Sequence, residues 1–259
     1  MGYVLVTGAS KGIGKAIATE LAKRNYDILL AARSQDLLIE TAAAITAAFN
    51  VKTDYLAIDL SQPDAAATLY EWCKKNNYTV EILVNNAGYG LSGHFGKYSQ
   101  QEYTDMMQVN INALVSLCYY FLADMKKLPQ AFILNIASTA AYQPVPGLGL
   151  YAASKSFVLS FSRSLSFELR RTTVSVTCIC PGSTDTDFVN RANMSSKTKK
   201  TANRLNMSPR AVALIAVDAL FKKKTEVITG GVNKLGAFLA WLLPKRLVEK
   251  NVASIYDMK

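Results

Sequence analysis

Apolar, β-branched runs alternate with stretches of helical period along most of the chain. Strands are expected at residues 3–7, 27–32, 52–58, 82–85, 131–137, 174–180 and 226–229, several of them the continuous apolar runs of strands buried on both faces. Between them, apolar positions recur at helical spacing over residues 13–24, 36–49, 65–75, 103–126, 151–171 and 210–221. For the third of these helices, Ser61-Gln-Pro-Asp64 offers N-terminal capping and first-turn chemistry. Such regular alternation predicts an α/β fold: a doubly wound, parallel, seven-stranded sheet with right-handed crossovers and helices on both faces. No repeat or low-complexity linker interrupts it, so residues 1–259 are expected to form one domain. Ligands of an open parallel sheet bind beyond the carboxyl ends of its strands, where the strand order switches. Candidate chemistry is therefore sought at those ends and in the helices that follow.

Composition narrows the class. The 259 residues are 50% hydrophobic and 19% charged, with 14 Gly and 7 Pro, which excludes a disordered or collagen-like chain. The apolar stretch from Leu235 to Leu243 is too short to cross a bilayer as a helix, and Met1-Gly-Tyr-Val-Leu-Val-Thr7 lacks a basic region and a long apolar core. A cytoplasmic protein is expected. Cys73, Cys118, Cys178 and Cys180 form no CxxC pair or Cys/His cluster, so no metal site is expected and the thiols should be buried and reduced. Cys178 and Cys180, two apart on a strand, would point to one face as small core residues. The single histidine, His94, falls in a loop at 89–97 and reads as ordinary loop polarity.

The net charge of +10 is uneven. Between Arg191 and Lys224 stand nine basic residues (Arg191, Lys197, Lys199, Lys200, Arg204, Arg210, Lys222, Lys223, Lys224) against Asp218 alone, so +8 lies there. Such a run suits nucleic acid, an anionic membrane or an acidic carrier protein, or else is a solvated lid or helix end. Without aromatic residues interleaved over 195–206 to stack on bases, no nucleic acid is expected.

The first strand runs into Thr7-Gly-Ala-Ser-Lys-Gly-Ile-Gly14. Gly8, Gly12 and Gly14 permit a tight turn and close backbone approach, and the start of the next helix suits a pyrophosphate. The second strand ends Leu30-Ala-Ala-Arg33-Ser34, with Ala32 where an NAD site would carry an acid. Arg33 and Lys11 would instead pair with a 2′-phosphate, so NADP(H) is the expected cofactor. The TGxxxGxG spacing, the Asn85-Asn-Ala-Gly88 element, Ser138 after strand five and Tyr151-Ala-Ala-Ser-Lys155 together resemble the short-chain dehydrogenase/reductase family, a Rossmann-type fold, from residue 3 to 229.

The Tyr and Lys of this last motif stand at i and i+4, on one face of a helix, where an ammonium favours phenolate and lowers a pKa of about 10. Tyr151 is thus usable as a proton donor, and Ser138 as a donor that polarises a carbonyl oxygen. The resemblance implies a fourth catalytic member, Asn110, holding a water behind Lys155, and has Lys155 contact the nicotinamide ribose. It also implies cofactor contacts from Ser10, Ile13, Ser34, Asp59, Leu60, Asn86, Ala87, Gly88, Pro181, Gly182, Thr184 and Thr186, besides Tyr151. Asp59 resembles the family's adenine-contacting acid, although it could equally cap the next turn. Gly182 would let the backbone approach the nicotinamide, and Thr186 could bond its carboxamide.

These residues imply NADPH-dependent reduction of a ketone or aldehyde to an alcohol. Residues 182–209 are expected to form a substrate lid, and Phe188, Val189, Met194 and Leu205 suggest an apolar substrate. The resemblance implies a homodimer or homotetramer through the helices at 103–126 and 151–171. Residues 231–259 extend past the length of the family's 3-oxoacyl-carrier-protein reductases. This tail is read as a shield over the cleft or a subunit interface, in preference to a peripheral membrane contact, because Pro244 breaks any long amphipathic helix. Two other readings remain: a 3-oxoacyl (carrier protein or CoA) reductase whose basic lid docks an acidic carrier, and a noncatalytic NADP-binding protein using its basic patch on RNA or membrane.

Overall fold

A computed structural model of the chain describes residues 2–185, 192 and 206–255. Its sheet has seven parallel strands: β1 (Tyr3–Thr7), β2 (Asp27–Ala32), β3 (Thr53–Ala57), β4 (Val80–Asn85), β5 (Ala131–Ile136), β6 (Val174–Cys180) and β7 (Glu226–Ile228). They lie in the order β3-β2-β1-β4-β5-β6-β7. The order reverses between β1 and β4, which opens a crevice beyond their carboxyl ends.

The two-sided burial predicted from the apolar runs is what makes the strands continuous in hydrophobicity. In β1, Val4 and Val6 face α1 (Gly12–Ala22), α2 (Gln35–Phe49) and α7 (Pro209–Phe221), packing with Ile17, Leu38 and Val217. Leu5, between them, faces α3 (Ala65–Lys75), α5 (Ala113–Met125) and α6 (Gly149–Glu168), among Leu69, Leu117 and Val158. Each such fully buried side chain contributes about 1.5–3 kcal/mol. Cys178 and Cys180 share the second face as expected, and all four cysteines are free and buried. Burial pushes the Cys73 and Cys118 thiols up to about 12, away from thiolate chemistry.

Several boundaries differ for identifiable reasons. The helix expected at 103–126 starts three residues earlier as α4 (Gln100–Met107), because Ser99 and Glu102 form a reciprocal capping box. It then widens into a π-turn at Gln108–Asn112 before continuing as α5. The stretch from Gln100 to Met125 is long and apolar enough to cross a membrane by length and composition, but Leu114, Leu117, Phe121 and Met125 are buried against the sheet. At α3, Asp64 occupies the N-cap position but its side chain makes no capping hydrogen bond, so the expected capping by that segment is corrected. The tail forms two unforeseen helices, α8 (Gly231–Leu242) and α9 (Lys245–Ile255), separated at Pro244.

Candidate active site

The Gly-rich turn is built by close packing against the end of β4. Gly8 and Gly12 have φ of +65° and +60°, a region that side chains rarely adopt. A Cβ on Gly14 would stand 2.4 Å from the Gly8 carbonyl oxygen and 2.5 Å from Asn86 Nδ2. Asn86 Nδ2 donates to the carbonyls of Thr7 (2.9 Å) and Gly8 (3.2 Å), while Thr7 Oγ1 accepts from the backbone N–H groups of Asn86 and Ala87. These bonds lock the first turn to the Asn85-Asn-Ala-Gly88 element. The start of α1 has no side-chain cap and no acid in its first turn, which leaves its positive end suited to an anion.

Arg33 follows β2, and Asp59 lies two residues beyond β3 rather than closing it. Arg33 Nη1 is 3.9 Å from Asp59 Oδ2, and Asp59 Oδ1 accepts from the Ser61 N–H at 3.0 Å. Asp59 therefore turns the chain and also lines the cavity. Lys11, Arg33 and Ser34 line the same wall of a cavity of ≈ 880 Å³.

That cavity continues to Ser138, Tyr151 and Lys155. Ser138 stands two residues past β5 and caps a short 3₁₀ turn (Thr139–Tyr142), accepting from the Ala140 N–H at 3.1 Å. Tyr151 and Lys155 occupy the first turns of α6, with Lys155 Nζ 5.9 Å from the Tyr151 ring centroid. Lys155 is 4% exposed, and its ammonium donates to the Ile136 carbonyl at 2.8 Å. Burial lowers its pKa to about 8, so the cation persists at neutral pH but is easily given up above it. A second tyrosine on the cavity wall, Tyr142, is differently placed: its hydroxyl donates to Glu226 and to Cys180 Sγ (3.4 Å), and burial foremost raises its pKa. Of these two phenols, only Tyr151 has an ammonium one helical turn away.

Asn110 sits one layer behind the cavity, 1% exposed. Its Nδ2 donates to the Tyr89 carbonyl (2.9 Å) and Ser154 Oγ (3.0 Å), and its Oδ1 accepts from the Tyr89 N–H (3.0 Å). The π-turn is what carries this amide inward. Gly14 likewise does not line the cavity; it packs behind Gly8. The other expected contacts, Ser10, Gly12, Ile13, Leu60, Asn86, Ala87, Gly88, Pro181, Gly182 and Thr184, do line it. His94 is exposed and absent from the lining. Thr186, Phe188, Val189, Met194 and Leu205 lie outside the described residues.

The tail, expected to shield the cleft or a subunit interface, forms part of the cavity wall. The inner side of α8 contributes Val232, Asn233, Gly236 and Ala237, and Val252 adds to it from α9. A Cβ on Gly182 would meet Asn233 Nδ2 at 2.3 Å, so any side chain there must displace this tail residue. Val145 and Leu148, with Ala192 of the expected lid, pack with Val248 and Val252 around Tyr151. Of the basic run, Arg210 lies in the first turn of α7 and Lys222–Lys224 follow its far end, about 20 Å away for a helix of this length, while Arg191, Lys197, Lys199, Lys200 and Arg204 lie outside the described residues.

Residues 2–197 match the short chain dehydrogenase family. The chain belongs to that family. This short-chain dehydrogenase is 32% identical over 227 residues to the ketoacyl reductase HetN of Nostoc sp., covering 87% of this chain and 77% of that protein. It is 32% identical over 176 residues to a very-long-chain 3-oxoacyl-CoA reductase of Laccaria bicolor, covering 67% of this chain but only 52% of the longer relative. Among solved structures it superposes on a short-chain dehydrogenase from Sphingobium yanoikuyae in complex with NADPH, with a TM-score of 0.82, 27% identity and 92% of each chain covered.

Proposed function

We propose that the protein binds NADP(H) and reduces an apolar ketone or aldehyde to an alcohol, with Tyr151 as proton donor. The observation that carries this reading is one cavity holding the Gly-rich turn, Lys11 and Arg33 at one end and Ser138, Tyr151 and Lys155 at the other. The fit to the cofactor rests on the glycine cradle at Gly8 and Gly14, where a Cβ would collide with backbone or Asn86, and on the open start of α1. The presence of Arg33 and Lys11, with Ala32 where an acid would sit, favours the 2′-phosphate. The Sphingobium yanoikuyae structure contains NADPH, which supports the same choice.

When bound, the cofactor supplies a hydride from nicotinamide C4 to the carbonyl carbon. Ser138 Oγ orients the carbonyl oxygen by hydrogen bonding and Tyr151 gives that oxygen its phenolic proton, so the carbonyl leaves as the hydroxyl of an alcohol. Lys155 holds a positive charge beside Tyr151 that favours release of this proton. Asn110 positions: through Ser154, whose Oγ donates to the Tyr151 carbonyl at 2.7 Å, it ties α6 to the strand-four loop. The lid proposed at 182–209 lies largely outside the described residues; within it, the Ala192 carbonyl accepts from the Ser92 N–H.

A 3-oxoacyl thioester is the second substrate class, favoured by the similarity to the Nostoc ketoacyl reductase and the Laccaria 3-oxoacyl-CoA reductase. Of the basic run that would serve the carrier-protein variant, Arg210 and Lys222–Lys224 stand at opposite ends of α7, and Arg191, Lys197, Lys199, Lys200 and Arg204 lie outside the described residues. Exposed Tyr119, Phe157 and Phe167 on α5 and α6 support a homo-oligomer built on those helices, and free thiols suit a cytosolic setting. The test is NADPH depletion across ketones, aldehydes, steroids and 3-oxoacyl thioesters. Turnover of an apolar carbonyl compound supports the proposal; binding of NADPH with no turnover of any class contradicts it.

A further inference from the structure

The helix α8 is amphipathic in the inverted sense. Its inner side carries the small residues Gly236, Ala237 and Ala240 with Asn233, which line the cavity or pack into the core beside it. Its outer side carries the large apolar ones. Leu235, Phe238, Leu239 and Leu242 follow the i, i+3, i+4, i+7 spacing of one helical face, with Trp241 at its margin. Leu235 is 58% exposed, Phe238 54%, Trp241 74% and Leu242 59%. The rings of Phe238 and Trp241 lie 6.0 Å apart, forming one continuous apolar surface rather than scattered contacts. The sequence that follows, Pro244-Lys-Arg-Leu247, adds another half-exposed leucine.

Charge decides what covers this face. Between residues 231 and 254 stand Lys234, Lys245, Arg246 and Lys250 against Glu249 alone, a net +3. All four residues are exposed, although Lys245 Nζ donates to the Ala240 carbonyl at 2.9 Å, and Lys234 lies on the same side of α8 as Phe238 and Trp241, four and seven positions on. A two-fold contact between copies would set this cationic patch against itself. An anionic lipid surface instead accepts both the leucines and the cations, and a tryptophan at the edge of the apolar face suits the headgroup boundary.

We propose that α8 and the start of α9 seat the protein on an anionic membrane surface, with Leu235, Phe238, Leu239, Trp241 and Leu242 inserted among the acyl chains and Lys234, Lys245 and Arg246 at the headgroups. The interruption at Pro244 does not stand against this, because an interfacial helix need not be long. The shield over the cleft and the lipid contact are two sides of one helix. Docking is independent of catalysis, so it stands or falls apart from the proposed carbonyl reduction.

The experiment is co-sedimentation of the full-length protein with vesicles of phosphatidylcholine alone and of phosphatidylcholine mixed with phosphatidylserine. Wild-type protein is expected to bind the mixed vesicles and to bind neutral ones at least about tenfold more weakly. Phe238→Asp/Trp241→Asp should lower binding to mixed vesicles by about a hundredfold, and Lys234→Glu/Arg246→Glu should abolish the preference for phosphatidylserine. Both pairs are exposed, and their circular dichroism should match wild type. In a Trp72→Phe background, the emission of Trp241 should shift to the blue on adding mixed vesicles. Wild-type protein that stays in the supernatant at low salt, or acidic variants that sediment as well as wild type, overturn the proposal. So does a wild-type oligomer that ignores vesicles and is dissociated by Phe238→Asp/Trp241→Asp, because the face would then cover a second copy of the chain.

Discussion

Asn110 and Lys155 approach each other across the bare Cα of Gly88: a Cβ at that glycine would lie 3.1 Å from Asn110 Oδ1 and 3.2 Å from Lys155 Nζ. The buried amide and the buried ammonium thus border one small space behind the cavity, where a water bridging the two groups belongs in the proposed proton path. A methyl group there displaces such a water without touching the phosphate-binding turn. Gly88→Ala is expected to lower kcat by about ten- to a hundredfold and, since Gly88 also lines the cavity, to weaken NADPH binding by a smaller factor. Stopped-flow kinetics and fluorescence titration measure the two separately, and equal losses in both would refute this assignment.

Cofactor preference should reside in Lys11 and Arg33. Removing a charge-assisted contact to a 2′-phosphate costs about 1.5–3 kcal/mol, so Arg33→Ala should weaken NADPH binding by about ten- to a hundredfold and leave NADH nearly unchanged. Arg33→Asp should reverse the preference, since the introduced carboxylate repels the phosphate and can accept from a ribose hydroxyl. Titration with both nucleotides reads the ratio; an unchanged ratio in Arg33→Asp places the determinant elsewhere.

The buried Lys155 gives a stability signature with a definite sign. Its pKa falls from the ordinary lysine value of 10.5 to about 8 in the fold, so between those values the unfolded chain binds more protons than the folded one. Stability contributed by this site therefore rises with pH from about 8 to 10.5 and is flat below. Relative to Lys155→Met, which cannot titrate, the wild type should gain stability across that window, on the order of 3 kcal/mol in total. Urea unfolding of both proteins at successive pH values measures the difference. A difference that is constant from pH 7 to 11 contradicts a depressed lysine.

The tail is tied to the cavity by one contact that a double-mutant cycle can isolate. Gly182→Ala forces Asn233 away from the position where its Nδ2 donates to the Thr229 carbonyl at 2.7 Å. The expected cost is about 1–3 kcal/mol, and Asn233→Ala removes the obstructing amide atoms, so the double variant should be more stable than the sum of the two losses predicts. Strict additivity in denaturant unfolding would show that the two residues do not meet.

The sheet was readable because strands buried on both faces must be apolar at every position, as with Val4, Leu5 and Val6, and because their carboxyl ends carry the polar motifs. What escaped was set by partners distant in sequence. Asn110 turns inward through a π-turn whose satisfaction comes from Tyr89 and Ser154, 21 and 44 positions away. The close approach of Asn233 to Gly182 is visible only with the tail docked. Helix α8 went unread because its large apolar side chains face outward and its cavity-facing side is small, so its hydrophobic pattern marks a surface rather than a core. Of the basic run, only Arg210 and Lys222–Lys224 fall among the described residues, at opposite ends of α7.

The proposed activity depends most directly on Tyr151. Once the substrate screen has supplied a carbonyl compound that the wild type reduces, NADPH oxidation by Tyr151→Phe on that compound should fall by about 10²–10⁴-fold with NADPH affinity unchanged. Turnover by Tyr151→Phe within a few fold of wild type would contradict the account, because the phenolic proton would then not be the one transferred.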